Sequence, residues 1–283
     1  MLVRRIRDSK DDAEAVRRLV AGAHGEGGPW PPGRTARHHR VTRHLARTDP
    51  GGCWLAEDAA GRPLGAVLAS LREGTWALGL LAVAPHAGQD TGPALLERAL
   101  EHGRGTLRGL VHGSRVPRSV RALRRAGFAV HPAMSLSGTV DPSGLEPPDG
   151  PAVEGSRAHG DLMDSVDRRL RGGAHGPDHE ELLLHHRAVV SDDLAGSGYC
   201  YVREDGRVEL LAATSRRIAT RLLTAALLSL APGTRARIDG LTAEQQWAVD
   251  VGLAAGLELS CDGCLWLRGM RPPSPYIPSR AFL

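Results

Sequence analysis

A short stretch in the first half of the chain has residues whose types and order suit a phosphate-bearing ligand. Residues 80–96 read LLAVAPHAGQDTGPALL, which predicts an apolar strand, a loop and the start of an apolar helix. The unpaired N–H groups at a helix N-terminus attract adjacent negative charges such as those of a pyrophosphate. Gly92 lets the backbone approach the ligand, and Pro93 suits the first helical turn, where its missing N–H costs nothing. The small side chain of Ala94 keeps that approach open.

The same stretch resembles the coenzyme motif of the GNAT superfamily of N-acetyltransferases. That motif is an apolar strand ending in L-x-V-x-P, then [RQ]-x-x-G-x-[GA], then an apolar helix; Gln89, Gly92 and Ala94 occupy its three defining positions. A later landmark of the family, a helix followed by Gly-Phe, is matched by Gly127-Phe128. The resemblance covers residues 3–137 in the order of their elements.

The resemblance implies an α/β (α+β) fold, with a mixed sheet flanked by helices, and acetyl-CoA as the cosubstrate. In the family the strand splays before the loop, so that free backbone groups bind the pantetheine amide and the acyl carbonyl. The residues that the resemblance assigns to the coenzyme are Leu81, Ala82, Val83, Gln89, Asp90, Thr91, Gly92, Pro93 and Ala94.

Acyl transfer needs a neutral amine and a protonated leaving thiolate. Many GNAT enzymes use a Glu near the strand before the motif and a Tyr in the helix before Gly-Phe. Here the strand TWALGLLAV has no acid, and Leu123 occupies the Tyr position. The remaining catalytic candidates are Glu73, His112 and Ser114. Two alternatives stay open: Glu73 is a turn carboxylate and His112 a strand-end surface group, or proximity and solvent alone suffice.

The sequence predicts no metal site. Cys261-Asp262-Gly263-Cys264 is a lone C-x-x-C, whereas zinc needs a second ligand pair, and its Asp-Gly centre predicts a hairpin turn. The histidines at 38, 39, 44, 185 and 186 have no common metal-ligand spacing and are interpreted as solvated helix faces.

An internal repeat predicts two GNAT-like halves. Ala-Gly-Phe at Gly127 matches Ala-Gly-Leu at Gly256, 129 residues later, and Leu95-Leu96 matches Leu222-Leu223 at nearly the same offset. Glu57-Asp58 matches Glu204-Asp205 at a larger offset of 147 residues. We therefore expect a truncated second copy that lacks about twenty residues, including one strand.

The predicted organisation is an N-terminal GNAT domain over residues 1–140 with the coenzyme site, a Pro- and Gly-rich linker over 141–155, and a degenerate GNAT-like domain over 156–283. In the second copy Ala219 replaces the motif glycine and Arg221 the small residue, so no coenzyme is assigned there. The arginines at 216, 217 and 221 are interpreted as a solvated face.

Some predicted elements matter below. Residues 11–23 are expected to form a helix capped by Ser9, and 177–190 another helix. Hairpins are expected to join 128–130 to 134–137, and 257–259 to 265–268. The Pro-rich segment 271–283 is expected to pack back on the body.

The bulk composition is that of a globular protein, with 283 residues, 41% hydrophobic residues and a formal net charge of +4. The charge is spread along the chain, so no nucleic acid partner is expected. There is no apolar leader and no membrane-length apolar run, so the expected compartment is the cytoplasm. The four cysteines do not suggest a disulfide framework.

Two functions are carried forward. The first is transfer of an acetyl or other short acyl group from acyl-CoA to a primary amine of a small molecule or peptide. The alternative is a non-catalytic GNAT-like protein that binds acyl-CoA or a partner. Since GNAT proteins often dimerise, a homodimer is compatible with either.

Overall fold

In the computed structural model, the described residues are 1–23, 25, 28–113 and 117–283. They form two compact units, one of residues 1–71, 75–127 and 283, the other of residues 72–74 and 128–282. The predicted domain limits at 140 and 155 stay predictions. No helix in the described ranges is both long and apolar enough to cross a membrane.

The first unit contains five strands of a mixed sheet, with helices packed on them. Strands β1 to β5 lie side by side in chain order; β1, β2 and β3 pair antiparallel, whereas β4 and β5 pair parallel. The mixed sheet that the sequence predicts is thereby confirmed. The elements are β1 (Leu2–Arg5), α1 (Lys10–Ala23), α2 (Pro32–Thr48), β2 (Cys53–Glu57), β3 (Pro63–Arg72), β4 (Thr75–Val83), α3 (Thr91–His102), β5 (Arg108–His112) and α4 (Pro117–Arg125).

Local signals place these helices as expected. The Ser9 Oγ accepts a hydrogen bond from the Asp12 N–H at 3.2 Å, which confirms the predicted cap of α1. Gly127 follows α4 with a φ of 86°, a left-handed conformation that favours glycine at a helix C-terminus. Helix α1 buries Ala13, Val16 and Leu19 on its inner face.

The second unit repeats this order of elements. It contains β6 (Ala129–Thr139), β7 (Val153–Glu154), α5 (Gly160–Arg171), α6 (Pro177–His185), β8 (Arg187–Asp193), β9 (Gly196–Val202), β10 (Val208–Ala213), α7 (Arg216–Leu228), β11 (Arg235–Leu241), α8 (Gln246–Ala254), β12 (Glu258–Arg268) and β13 (Tyr276–Ile277). Strand β6 lies between β12 and β11, and a second sheet has the order β13, β10, β9, β8, β7.

The expected missing strand is wrong. From β7 to β12, two helices, three strands, a helix, a strand, a helix and a strand follow in the same order as from β1 to β6. The Glu204-Asp205 turn lies between β9 and β10, so its counterpart is the Glu73-Gly74 turn between β3 and β4 and not Glu57-Asp58. Gly206 follows Gly74 by 132 residues, close to the offsets of the other anchors.

Both predicted hairpins are wrong, because each pair of segments is one continuous strand. β6 pairs with β12 from Ala129 to Ser137, straight through Pro132. On β12 the register shifts between Ser260 and Gly263, so the Asp-Gly pair lies at a β-bulge and not at a turn.

The predicted helix over residues 177–190 is too long. α6 ends at His185, and the chain turns into β8, where Val189 and Val190 are buried. β-branched residues favour a strand over a helix end here. The interpretation of the histidines as solvated also fails at His44, which is 4% exposed.

Within the second unit, to which residues 72–74 belong, a buried ion pair joins Arg72 to Asp178 on α6. The Arg72 guanidinium donates to Asp178 Oδ2 at 2.9 Å and to Oδ1 at 2.8 Å, and both side chains are almost fully buried. Removing one partner of such a pair leaves an unpaired buried charge.

We expect Arg72→Met to lower the free energy of unfolding by about 3–5 kcal/mol, because the buried Asp178 carboxylate loses its guanidinium partner. Urea unfolding followed by circular dichroism measures this loss. Arg62→Met is the matched control, since Arg62 pairs with Asp58 while 77% exposed, and no measurable change is expected there. Equal effects of the two substitutions would contradict the assignment.

Candidate functional site

The candidate coenzyme site lies in the first unit, where β4 leads into α3. The register pairs of β4 with β5 run from Thr75 with Arg108 to Leu78 with Val111. Strand β4 continues to Val83, five residues beyond the last pair. Among the described residues, β4 therefore continues past its last pair with β5, and the backbone of residues 79–83 is the edge at which the resemblance predicts a splay.

The N-terminus of α3 has no side-chain cap. Asp90 occupies the N-cap position, but its side chain makes no capping hydrogen bond. The Thr91 N–H donates to Gly88 O at 3.1 Å and the Ala94 N–H to Asp90 O at 3.0 Å. Since Pro93 has no N–H, the Gly92 N–H is the first-turn donor that a ligand can take.

The loop gives a ligand close access to the backbone. Gln89, Asp90 and Pro93 are exposed, Gly92 and Ala94 are half-buried, and the Thr91 side chain is buried. A Cβ at Gly92 would have one neighbour within 4 Å, Val83 Cγ2 at 3.4 Å. The space outside Gly92 is thus open, which fits a phosphate group.

Upstream, Ala82 is buried, whereas Leu81 and Val83 are half-buried. Ala84 leaves the open edge to pair back, since its N–H donates to Leu64 O at 2.8 Å. The nine predicted coenzyme residues therefore lie along one continuous strand–loop–helix path. Their role in binding stays a prediction.

A cavity of about 470 Å³ opens beside the start of this loop. Helix α1 contributes Asp11, Glu14 and Arg18, and the end of β4 contributes Ala84 to His86. Glu14 stays ionised, because Arg17, helped by His39 and Arg18, lowers the pKa of its carboxyl to about 2 against the opposing effect of burial.

The catalytic candidates fall in different places. His112 ends β5, one residue past the last pair with β4, and is half-buried. Ser114 lies outside the described residues. Leu123, at the position of the family's Tyr, is 1% exposed and offers no proton.

Glu73 is held in the second unit by a structural contact. It forms the β3–β4 turn with Gly74, both at positive φ. Arg168 donates to its carboxylate from Nη2 at 2.7 Å, and the Ala174 N–H donates at 3.0 Å. These donors lower the pKa of the Glu73 carboxyl to about 2. A carboxylate so firmly ionised is a poor proton acceptor, which favours the turn interpretation.

A buried polar cluster in the second unit was missed from the sequence. Asp167 Oδ2 lies 2.6 Å from His175 Nδ1 and 3.0 Å from His179 Nε2, and the Tyr199 hydroxyl donates to Oδ1. Burial alone would raise the pKa of Asp167, but the two histidines outweigh it and hold that pKa below its usual range. The His-x-x-x-His spacing of 175 and 179 was the available signal.

Asp167, His175 and His179 are also the set of described residues that could hold a metal ion, with ligand atoms within 4.8 Å of one another. In a tetrahedral zinc site neighbouring ligand atoms lie roughly 3.3 Å apart. The contacts of 2.6 and 3.0 Å are shorter. The geometry is thus that of a hydrogen-bonded network.

Comparison with known structures places the fold. A Pyrococcus horikoshii protein, provisionally assigned as an acetyltransferase, superposes with a TM-score of 0.76 at 17% identity, over 100% of this chain and 95% of its own. A GCN5-related N-acetyltransferase from Sphaerobacter thermophilus gives 0.61 at 14% identity, over 99% and 98%. A tandem GNAT protein from the clavulanic acid biosynthesis pathway gives 0.57 at 15% identity, over 95% and 99%.

These likenesses confirm the predicted resemblance at the level of the fold: the chain has the fold of the GCN5-related N-acetyltransferases, in tandem form. No protein-family model matches the sequence, and no curated protein matches it.

The pH dependence of stability tests the structural role of Glu73. Because its pKa falls from 4.5 to about 2 on folding, the contact stabilises the fold above pH 4.5, and this stability is lost as the pH falls through 2. We expect Glu73→Gln to lower the melting temperature at pH 7 and the difference from the unchanged chain to shrink between pH 4.5 and 2. A difference that is constant with pH would contradict this.

Proposed function

We propose that the chain is an N-acyltransferase that moves an acetyl or short acyl group from acyl-CoA to a primary amine. The observation that carries the proposal is the continuous path from the open edge of β4 to the uncapped N-terminus of α3. An elongated ligand with amides at one end and a pyrophosphate at the other matches that path in chemistry and in order.

In this proposal the pantetheine amides pair with the backbone of Leu81, Ala82 and Val83, in place of the β5 backbone that has ended. The pyrophosphate lies on the loop from Gln89 to Ala94 and takes the Gly92 N–H, with the partial positive charge of the helix N-terminus. The exposed Asp90 carboxylate is the one negative charge of this loop, and Gln89 provides a neutral side-chain donor.

The reaction consists of attack by the amine nitrogen on the thioester carbonyl. A C–N bond forms, the C–S bond breaks, the amine loses a proton and the coenzyme thiolate gains one. His112 is the candidate for moving a proton, since it lies at the mouth of the splay and imidazole titrates near neutral pH. The remaining rate acceleration comes from holding the thioester and the amine in reacting geometry at the strand edge.

The cavity beside α1 supports an amine acceptor. The exposed Asp11 places a carboxylate along it, whereas Glu14 is already paired with Arg17 and Arg18, and Pro63 and Ala84 give it an apolar wall near the end of β4. A carboxylate attracts a protonated amine and brings it toward the loop. This supports a small molecule or a peptide with a cationic end as the acceptor.

The alternative, a non-catalytic protein that binds acyl-CoA or a partner, is favoured by the buried Leu123 and by the absence of an acid on β4. Both functions need the coenzyme site and differ in turnover. Release of free thiol from acetyl-CoA in the presence of an amine library separates them.

We expect Gly92→Trp to weaken acetyl-CoA binding at least about tenfold, because an indole would fill the open space over the first turn of α3. Equilibrium dialysis with labelled acetyl-CoA measures the affinity. Gly160→Trp is the matched control, since Gly160 also begins a helix, has helical φ and ψ, and has nothing within 4 Å of its Cβ position.

Undiminished binding by the Gly92 variant would place the coenzyme elsewhere. Equal losses in both variants would show a general effect of the indole and would also contradict the assignment. A folded Gly92 variant with lost binding, beside a control that binds normally, is the predicted result.

A further inference from the structure

The second unit has its own splayed strand, and another part of the chain is paired with it. Arg207, the residue before β10, forms an isolated parallel bridge with Arg237 of β11. Beyond the bridge, β13 lies on β10 in antiparallel register, with Ile277 opposite Leu211 and Tyr276 opposite Ala212.

This bridge corresponds to the first pair of β4 and β5 in the first unit, Thr75 with Arg108. Arg207 follows Thr75 by 132 residues, and Arg237 follows Arg108 by 129 residues, which are the offsets of the repeat. By the same offset, β13 pairs with the counterparts of residues 79 and 80, where β4 has already left β5.

We propose that the cleft between β10 and β11 is the second unit's counterpart of the coenzyme-arm cleft, and that it binds the chain's own segment 273–282 as an extended peptide ligand. The comparison of the two clefts rests on the proposed function of the first. A peptide and a pantetheine arm share the chemistry that such an edge recognises, namely amide N–H and C=O groups in an extended chain.

The entry of the segment is fixed by one buried amide. The Gln245 Nε2 donates to Pro273 O at 2.8 Å, and its Oε1 accepts from the Tyr276 N–H at 3.1 Å. Trp247 Nε1 donates to the same Oε1 at 2.9 Å and orients the amide. Gln245 therefore hydrogen-bonds the peptide backbone on both sides of the turn into β13.

The far end of the segment is held by the hydrogen bonds of a serine hydroxyl and by one ion pair. The Ser279 hydroxyl donates to Glu209 Oε1 at 2.7 Å and accepts from the Phe282 N–H at 2.9 Å. Arg280 pairs with the buried Asp239 at 3.2 Å. These contacts involve β10 and β11, the two walls of the cleft.

The buried polar cluster is also turned toward this segment. His175 Nε2 lies 3.1 Å from Phe282 O and 3.5 Å from the Tyr276 hydroxyl, while its Nδ1 contacts Asp167. A buried carboxylate and two imidazoles are costly unless each finds partners. The segment supplies two of those partners, which explains a network that the acyl-transfer chemistry does not use.

The phosphate end of this second cleft is closed. Ser215 caps α7 by accepting from the Ile218 N–H at 3.3 Å, whereas the N-cap of α3 is uncapped. Arg221 is buried, contrary to the predicted solvated face, and donates to Asp149, Asp193 and Ser191. The charge of Arg221 is thus neutralised by the protein and the Ile218 N–H is taken by Ser215, so neither is available to a pyrophosphate, although the exposed Arg216 lies in the same first turn.

Hydrogen exchange measured by mass spectrometry tests the proposal in the full chain. Ile277 is fully buried, so Ile277→Asp should expel the segment and make the amides of residues 208–213 exchange at least about tenfold faster. A synthetic peptide RPPSPYIPSRAFL, the sequence of residues 271–283, should bind this variant, restore the protection, and not bind the unchanged chain. Leu259→Asp, at a 43% exposed strand position, is the control. It should leave the exchange of residues 208–213 unchanged and should not bind the peptide.

Unchanged exchange over residues 208–213 in a folded Ile277 variant would overturn the proposal, as would protection of those amides by acetyl-CoA in place of the peptide. If the Ile277 variant does not fold, the proposal is tested by hydrogen exchange of the unchanged chain. Residues 208–213 and 273–282 should then open together before the rest of the second unit, and independent opening would overturn the proposal. Neither measurement needs coenzyme in the first unit, so failure of the proposed function is detected separately.

Discussion

The backbone of a strand that has parted from its neighbour must find other hydrogen-bond partners. This constraint acts twice in the chain, at the far end of β4 and at the far end of β10. In each unit the strand begins in parallel contact with this neighbour and then continues without it. A buried N–H or C=O without a partner costs free energy comparable to a lost hydrogen bond, so an extended ligand with amide groups is the natural occupant.

The two units meet this constraint differently, and the helix that follows each strand shows why. Helix α3 begins without a side-chain cap beside an open glycine, whereas α7 begins at a capping serine and carries a neutralised arginine. The capping serine and the paired Arg221 remove one backbone donor and one cation from the start of α7. In our proposals the first edge takes a coenzyme and the second takes the chain's own Tyr276 and Ile277, with which it pairs.

Much of the first unit could be predicted from the sequence, because its signals are local. The bounds of β4, the Ser9 cap and the glycine after α4 depend on neighbours within a few residues. The hairpin at Asp262-Gly263 failed because the same dipeptide suits a bulge, and only the partner strand β6 decides between the two.

The parts that were missed depend on residues distant in the sequence. Asp167 on α5, the histidines around the start of α6 and Tyr199 on β9 form one cluster that no single spacing reveals. Glu73 had the residue type of a catalytic base, but its Arg168 partner lies 95 residues away. Ala219 and Arg221 indicate from the sequence that the second copy lacks a coenzyme, but the pairing of β13 with β10 is visible only in the structure.

The most direct test of this account is a calorimetric titration of the unmodified full chain with acetyl-CoA. We expect saturable binding of one molecule per chain, because the first cleft is open and the second is occupied by the chain's own segment 273–282. Two molecules per chain would contradict the asymmetry between the units. No binding at millimolar acetyl-CoA would contradict the coenzyme site itself.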